Sequence, residues 1–136
     1  KPVNITSQLS SKHAKMVPTS LSADGKDLYI IIDKNDNGDV YVSHYENGVW
    51  SKAKKLNKNI NTRYWESHAC ISVDGKSLYF TSDRPGGYGG LDIYVSHKNE
   101  KGEWGKAKNL GKTINSKYDE ETPFILDDGK TLYFSS

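Results

Sequence analysis

One short phrase is written three times in this chain, as Asp24-Gly25-Lys26-Asp27-Leu28-Tyr29-Ile30, Asp74-Gly75-Lys76-Ser77-Leu78-Tyr79-Phe80 and Asp128-Gly129-Lys130-Thr131-Leu132-Tyr133-Phe134. The residues around it repeat in register. Asp39-Val40-Tyr41-Val42-Ser43-His44 answers Asp92-Ile93-Tyr94-Val95-Ser96-His97, Trp50 to Leu56 answers Trp104 to Leu110, and Ile60-Asn61-Thr62 answers Ile114-Asn115-Ser116. Asp24 and Asp74 are 50 residues apart, Asp74 and Asp128 54. The extra residues fall between Asp83 and Asp92 and between Ser96 and Trp104, where turns belong. Self-similarity at this period restricts the chain to a radial or stacked array of small β units.

The second unit is the most legible. Ala69 to Val73 reads as a first strand, and Asp74-Gly75 as a two-residue turn tolerant of positive φ. Leu78 to Ser82 is the second strand. A third, Asp92 to Ser96, lies beyond the glycine-rich Arg84 to Gly90 segment, and Trp104 to Leu110 is the fourth. Four antiparallel strands in about 50 residues make one propeller blade. Leu28-Tyr29-Ile30-Ile31-Ile32 is apolar without alternation, as in a strand covered on both faces. The recurring Tyr29, Tyr79, Trp50 and Trp104 suit packing between blades. No segment shows helical apolar spacing with caps, so the chain is read as all-β.

The 136 residues hold about two and a half repeats: residues 1–65 a degenerate blade with a lead-in, 66–119 a complete blade, and 120–136 the first half of a third. Closed propellers have about 4 to 8 blades, or roughly 200 to 400 residues at this period. The chain is therefore expected to be part of a larger ring, or a protomer that completes one with copies of itself. A net charge of +2 with dispersed lysines gives no basic footprint for nucleic acid. No apolar run is long enough to span a membrane as a helix. The single cysteine, Cys70, cannot form an internal disulfide and sits in an apolar run that suits a core position.

The run Ser72 to Gly87 with Gly90-Leu91-Asp92-Ile93-Tyr94-Val95-Ser96 closely resembles the WD40-like repeat of TolB-type β-propellers. With the Trp-x-Lys-Ala-x-x-Leu strand and the Ile-Asn-Ser/Thr linker, it is most similar to the variant of Bacteroidetes envelope proteins. That variant is often joined to tetratricopeptide repeats and an OmpA-like peptidoglycan-binding domain, and some members serve type IX secretion. The resemblance implies a periplasmic or outer-membrane-associated repeat scaffold rather than an activity. Unit one departs from the pattern: Met16 stands where Glu66 and Glu120 stand, and Asp33 to Gly38 replaces the longer glycine-rich turn.

Several residues are candidates for function. Glu66 and Glu120 precede the first strands, which line a propeller's channel, and with Trp65, His68 and Glu121 they could form a binding rim. Their identical placement in successive units also suits a role within the blade. Tyr88 and Tyr118 are loop aromatics of the kind interfaces and glycan sites use. Asp83 and Arg84 could hold an anion, or fasten neighbouring loops. Asp33, Asn35, Asn37 and Asp39 match half of a calcium loop, but the twelfth position is His44 and Asp39 answers Asp92, so a plain turn at Asn37-Gly38 explains them without an ion. No cofactor is expected.

Neither Gly-x-Ser-x-Gly nor His-Glu-x-x-His occurs, and no catalytic residue is assigned. The leading expectation is a non-catalytic scaffold that binds a protein or a peptidoglycan-associated component of the Gram-negative envelope. The alternatives are the regulatory propeller of a peptidase or hydrolase whose catalytic domain lies elsewhere, and a glycan-binding propeller in which loop aromatics such as Tyr64, Trp65, Tyr88 and Tyr118 stack on sugar.

Overall fold

The computed structural model describes residues 2–10 and 15–136. The N-terminal lead-in of unit one therefore lies partly outside the described residues. A short helix, α1 (Thr6–Leu9), precedes a first sheet of β1 (Lys15–Leu21), β2 (Asp27–Asp33), β3 (Gly38–Glu46), β4 (Val49–Trp50) and β5 (Lys54–Lys55), in which both β4 and β5 pair with β3. The second sheet is four-stranded, in the order β6 (Glu66–Ile71), β7 (Ser77–Ser82), β8 (Asp92–His97) and β9 (Lys108–Asn109). The third is the pair β10 (Glu121–Ile125) and β11 (Leu132–Ser135). Neighbouring strands are antiparallel, and successive sheets pack face to face as propeller blades do.

Burial fixes how the blades meet. Tyr29, Ile31 and Val40 from one face of the first sheet join Ala69, Ile71, Leu78, Phe80, Tyr94 and Trp104 of the second in one core, closed by Ile60 from the linker between them. The opposite face of the first sheet, with Ile30, Ile32 and Tyr41, is covered by Leu9 of α1. This explains the unbroken apolar run of β2: alternate residues serve two different cores. The all-β reading holds across the sheets, and the one helical turn, with no side-chain cap at Ile5, is too short to carry a sequence period. It is held by tertiary bonds, from Ala53 N–H to the Leu9 carbonyl and from Trp50 N–H to Gln8 Oε1. No helix among the described residues is long and apolar enough to cross a membrane.

The Asp-Gly turns are hairpins, but of a different kind from the expected two-residue type. Ser72 and Ser77 close the loop, Gly75 N–H bonds to the Ser72 carbonyl, and only Gly75 has positive φ, at 68°. The connection is a type I turn ending in a left-handed glycine. Asp74 Oδ1 accepts from Ser72 Oγ and Lys76 N–H, and Asp24 does the same with Ser22 and Lys26. In unit three Leu126 takes the serine position, and Thr131 supplies the hydroxyl to Asp128 instead. These bonds hold all three aspartates below the usual carboxylate range.

Between β2 and β3 the turn lies at Asn35 and Asp36, both with positive φ, rather than at Asn37-Gly38. Two positive φ values in sequence define the type I′ hairpin, which Asn and Asp tolerate. Gly38 lies in β3 and must lack a side chain for another reason: a Cβ there would strike the Trp65 indole and the Glu66 carbonyl.

The fourth strands are shorter than expected. Trp104 makes only an isolated bridge to Lys98, and the ladder resumes at Lys108–Asn109. Beyond it, buried Asn115 uses its amide as a substitute strand, accepting from Ile93 N–H and donating to the Ile93 carbonyl. Asn61 does the same for Val40 in the first sheet. Trp104 itself is 7% exposed, with Lys98 Nζ 4.8 Å from its ring centroid. Trp104→Ala is expected to lower unfolding free energy by about 3–5 kcal/mol in urea titration; a loss below ~1 kcal/mol would mean that the indole does not bridge the blades.

Candidate functional site

The first strands β1, β6 and β10 lie side by side, where a propeller's channel runs. Each carries a register shift, between Pro18 and Ser20, Ser67 and Cys70, and Glu121 and Phe124. In the second and third blades the shift places a residue in the left-handed region, His68 at φ 44° and Thr122 at φ 50°. Such bulges re-aim side chains beside functional surfaces. Here they leave hollows between the blades. One, of about 250 Å³, is bordered by Lys15, Val17, Ile31, Asp33, Trp65 and His68. A second, of about 300 Å³, is bordered by Trp65, His68, Asp83, Asp119 and Glu121. A third, beside Thr122, also touches His68. His68 thus borders all three hollows, and Trp65 the first two.

The expected rim residues separate into two groups. Trp65, His68 and Glu121 reach the hollows, and Trp65 is 44% exposed. Tyr88 and Tyr118 are exposed on adjoining loops, tied by bonds from Leu91 N–H to Asp119 Oδ1 and from Glu120 N–H to the Leu91 carbonyl. Glu66 and Glu120 are the correction: both are wholly buried and present no oxygen to a partner.

Each buried carboxylate closes a clasp. Glu66 accepts from Thr62 N–H at 2.8 Å, Thr62 Oγ1 at 2.7 Å and Ser82 Oγ at 2.9 Å, and from Arg84 Nη2 at 3.1 Å. Arg84 also donates to the Ile60 carbonyl and lies over the Phe80 and Tyr94 rings, 5.1 and 4.9 Å from their centroids. Its guanidinium fastens the linker to the blade and is not offered to an anion. Glu120 repeats the arrangement with Ser116 and Ser136. Burial pushes the Glu120 carboxyl up, but the hydrogen bonds from Ser116 and Ser136 outweigh it and hold the group below its usual range.

Unit one replaces the clasp as a set. Met16 and Ile32 stand for Glu66 and Ser82, and Lys34, over the Tyr41 ring at 5.3 Å, stands for Arg84. The shorter turn has another effect. Asp92 is capped by Tyr88 N–H, Gly89 N–H and Asn109, whereas Asp39 keeps only Lys55 at 2.7 Å, and its Oδ1 is bare. Strand alternation sends Asp33 and Asp39 to opposite faces of the hairpin, so the two carboxylates do not converge on one calcium ion. Among the described residues no group of three or more His, Cys, Asp or Glu side chains is placed to hold a metal. Cys70 is buried in the inner strand, and His44 and His97 pair with Asp27 and Ser77 near the start of the second strands.

Lys15, Asp83 and Asp119 belong to the hollows but were not singled out as rim residues from sequence. For Lys15 and Asp119 the signal lies where matching units fail to match, since both answer Trp65, as Glu121 answers Ser67; Asp83 matches Asp33 and gave no such signal.

Among solved structures the chain is similar to TolB from Acinetobacter baumannii, with a TM-score of 0.62 and 24% identity, covering 90% of this chain and 27% of that one. It is also similar to a protein described as TolB from Agrobacterium tumefaciens, with a TM-score of 0.67 and 20% identity, covering 91% and 39% respectively. The chain thus spans between about a quarter and two fifths of these proteins. No protein-family model and no curated protein matches it. At these identities the likeness establishes the fold, a partial β-propeller.

Two outcomes follow from the clasps. Glu66→Ala, which leaves the part-buried Arg84 without its carboxylate, is expected to cost about 3 kcal/mol in stability, read by urea titration. Acid should weaken the third unit through Glu120. A folded carboxyl held below its unfolded value stabilises fully above the ordinary range near 4.5, and that contribution disappears as pH falls through the lowered folded value. Glu120→Gln should therefore flatten the loss of melting temperature on acidification below about pH 4.5. An unchanged slope would contradict the clasp.

Proposed function

We propose that this chain is a non-catalytic interaction module, a propeller segment that binds a protein partner or a peptidoglycan-associated component in the periplasm of a Gram-negative bacterium. One observation carries the reading. Many residues shared between units are engaged in turns, ladders and clasps, whereas Trp65, His68, Asp119 and Glu121, which differ between units, gather at the hollows between the first strands, beside the shared Asp33 and Asp83. Exposed aromatics flanked by charge are the usual anchors of protein interfaces. The likeness in fold to TolB supports an envelope setting. The finer proposal, a Bacteroidetes scaffold joined to tetratricopeptide and OmpA-like domains and serving secretion or outer-membrane assembly, is supported by the repeat motif alone.

The glycan-binding alternative is less well served. Lys117 lies 5.0 Å from the Tyr118 ring centroid and Arg63 lies 5.0 Å from that of Tyr64, so one face of each ring is occupied by the chain itself.

The immobilised chain is expected to retrieve a specific partner from detergent extracts of envelope. Trp65→Ala with Tyr118→Ala should weaken capture by more than ~2 kcal/mol while leaving thermal unfolding nearly unchanged. Unaltered capture would move the interface elsewhere, and hydrolysis of a peptide or glycan by the intact protein would favour the enzyme-associated reading.

A further inference from the structure

Asp33 ends β2 and projects into the hollow between the first two blades. Its Oδ1 is buried and has no hydrogen-bond partner. Its counterpart Asp83 is not left so, because Trp65 N–H donates to it at 2.8 Å. A buried carboxylate oxygen without a donor is unfavourable, and it is a ready acceptor for whatever enters. Lys15 lies opposite Asp33 in the β1–β2 register and borders the same hollow, yet it does not satisfy that oxygen.

The walls define what could enter. Val17 and Ile31 supply an apolar flank and the half-exposed Trp65 an aromatic side chain, in a space of about 250 Å³. The neighbouring hollow adds Asp83, Asp119 and Glu121. A chain with net charge +2 thus concentrates carboxylates at this mouth, where clefts focus the field.

We propose that this hollow receives a lysine or arginine side chain from an extended segment of a partner protein. The cationic N–H donates to Asp33 Oδ1, the aliphatic stem lies along Val17 and Ile31, and the cation meets the Trp65 ring. Asp83, Asp119 and Glu121 attract the residues on either side. The inference rests on the protein-binding reading and names the chemistry of its partner.

The test uses a fluorescent peptide with a single arginine in a glycine-serine background, and its citrulline twin, which keeps the shape and loses the charge. Saturable binding of the arginine peptide is expected, weakened about tenfold or more by citrulline and by Asp33→Asn. Trp65→Leu should weaken it too. Lys15→Met, which removes the internal competitor, should tighten it about threefold. Asp33→Asn is nearly isosteric and should leave the melting temperature unchanged or raised, which separates lost binding from lost fold. Absence of saturable binding by both the arginine peptide and a lysine equivalent overturns the proposal, as does equal binding of the citrulline twin or of Asp33→Asn. If Asp33→Asn still captures the envelope partner undiminished, the protein-binding reading stands and this site assignment fails.

Discussion

A carboxylate buried at the head of a blade holds successive units together. Glu66 has no exposure, and four groups donate to it: two from the preceding linker, one from the second strand and one from the turn beyond it. A charge so placed is tolerable only when its oxygens are satisfied. The position of Thr62, the rotamer of Ser82 and the path of Arg84 are thereby set together. The linker so fixed brings Ile60 into the core between blades and Asn61 onto the edge of β3. Blade stacking, linker path and the short fourth strands are consequences of one polar arrangement as much as of apolar burial.

Most of the architecture could be read from the repeat. The second and third strands of unit two lie where their β-rich segments do, the fourth keeps only two residues of its expected span, and the Asp-Gly pairs lie in turns. Three features were hidden. The first strand begins at Glu66 because a bulge at His68 interrupts alternation, so residues on its two sides follow different phases. The α1 turn has too few residues to display a period. Asn61 and Asn115 look like polar linker residues, and only the fold shows them acting as backbone substitutes.

The placement of the expected rim residues was legible for Trp65, His68 and Glu121, and not for Glu66 and Glu120. Trp65 and His68 stand at the hollows, but Glu66 and Glu120 point inward. A carboxylate beside an apolar strand is ambiguous in sequence, because solvent and a buried donor set are equally good environments for it. The discriminating clue was the hydroxyl residue four positions earlier, Thr62 before Glu66 and Ser116 before Glu120. Asp33 was read as a possible ion ligand within its turn, whereas its place is set across the sheet, facing Lys15 and the next blade.

The replacement of the clasp in unit one matters during folding, before any partner is met. Tandem units this alike invite strands to join the wrong neighbour, a characteristic failure of repeat proteins. If β6 exchanged places with β1, the buried Glu66 would face Ile32 without Ser82 or Arg84, and Met16 would leave the part-buried Arg84 beside no carboxylate. Each error leaves a charge without its partner, and for Glu66 that charge is wholly buried, among the costliest defects an interior can hold. The Met16, Ile32 and Lys34 set and the Glu66, Ser82 and Arg84 set therefore work as addresses: they leave correctly paired blades undisturbed and penalise exchange between them.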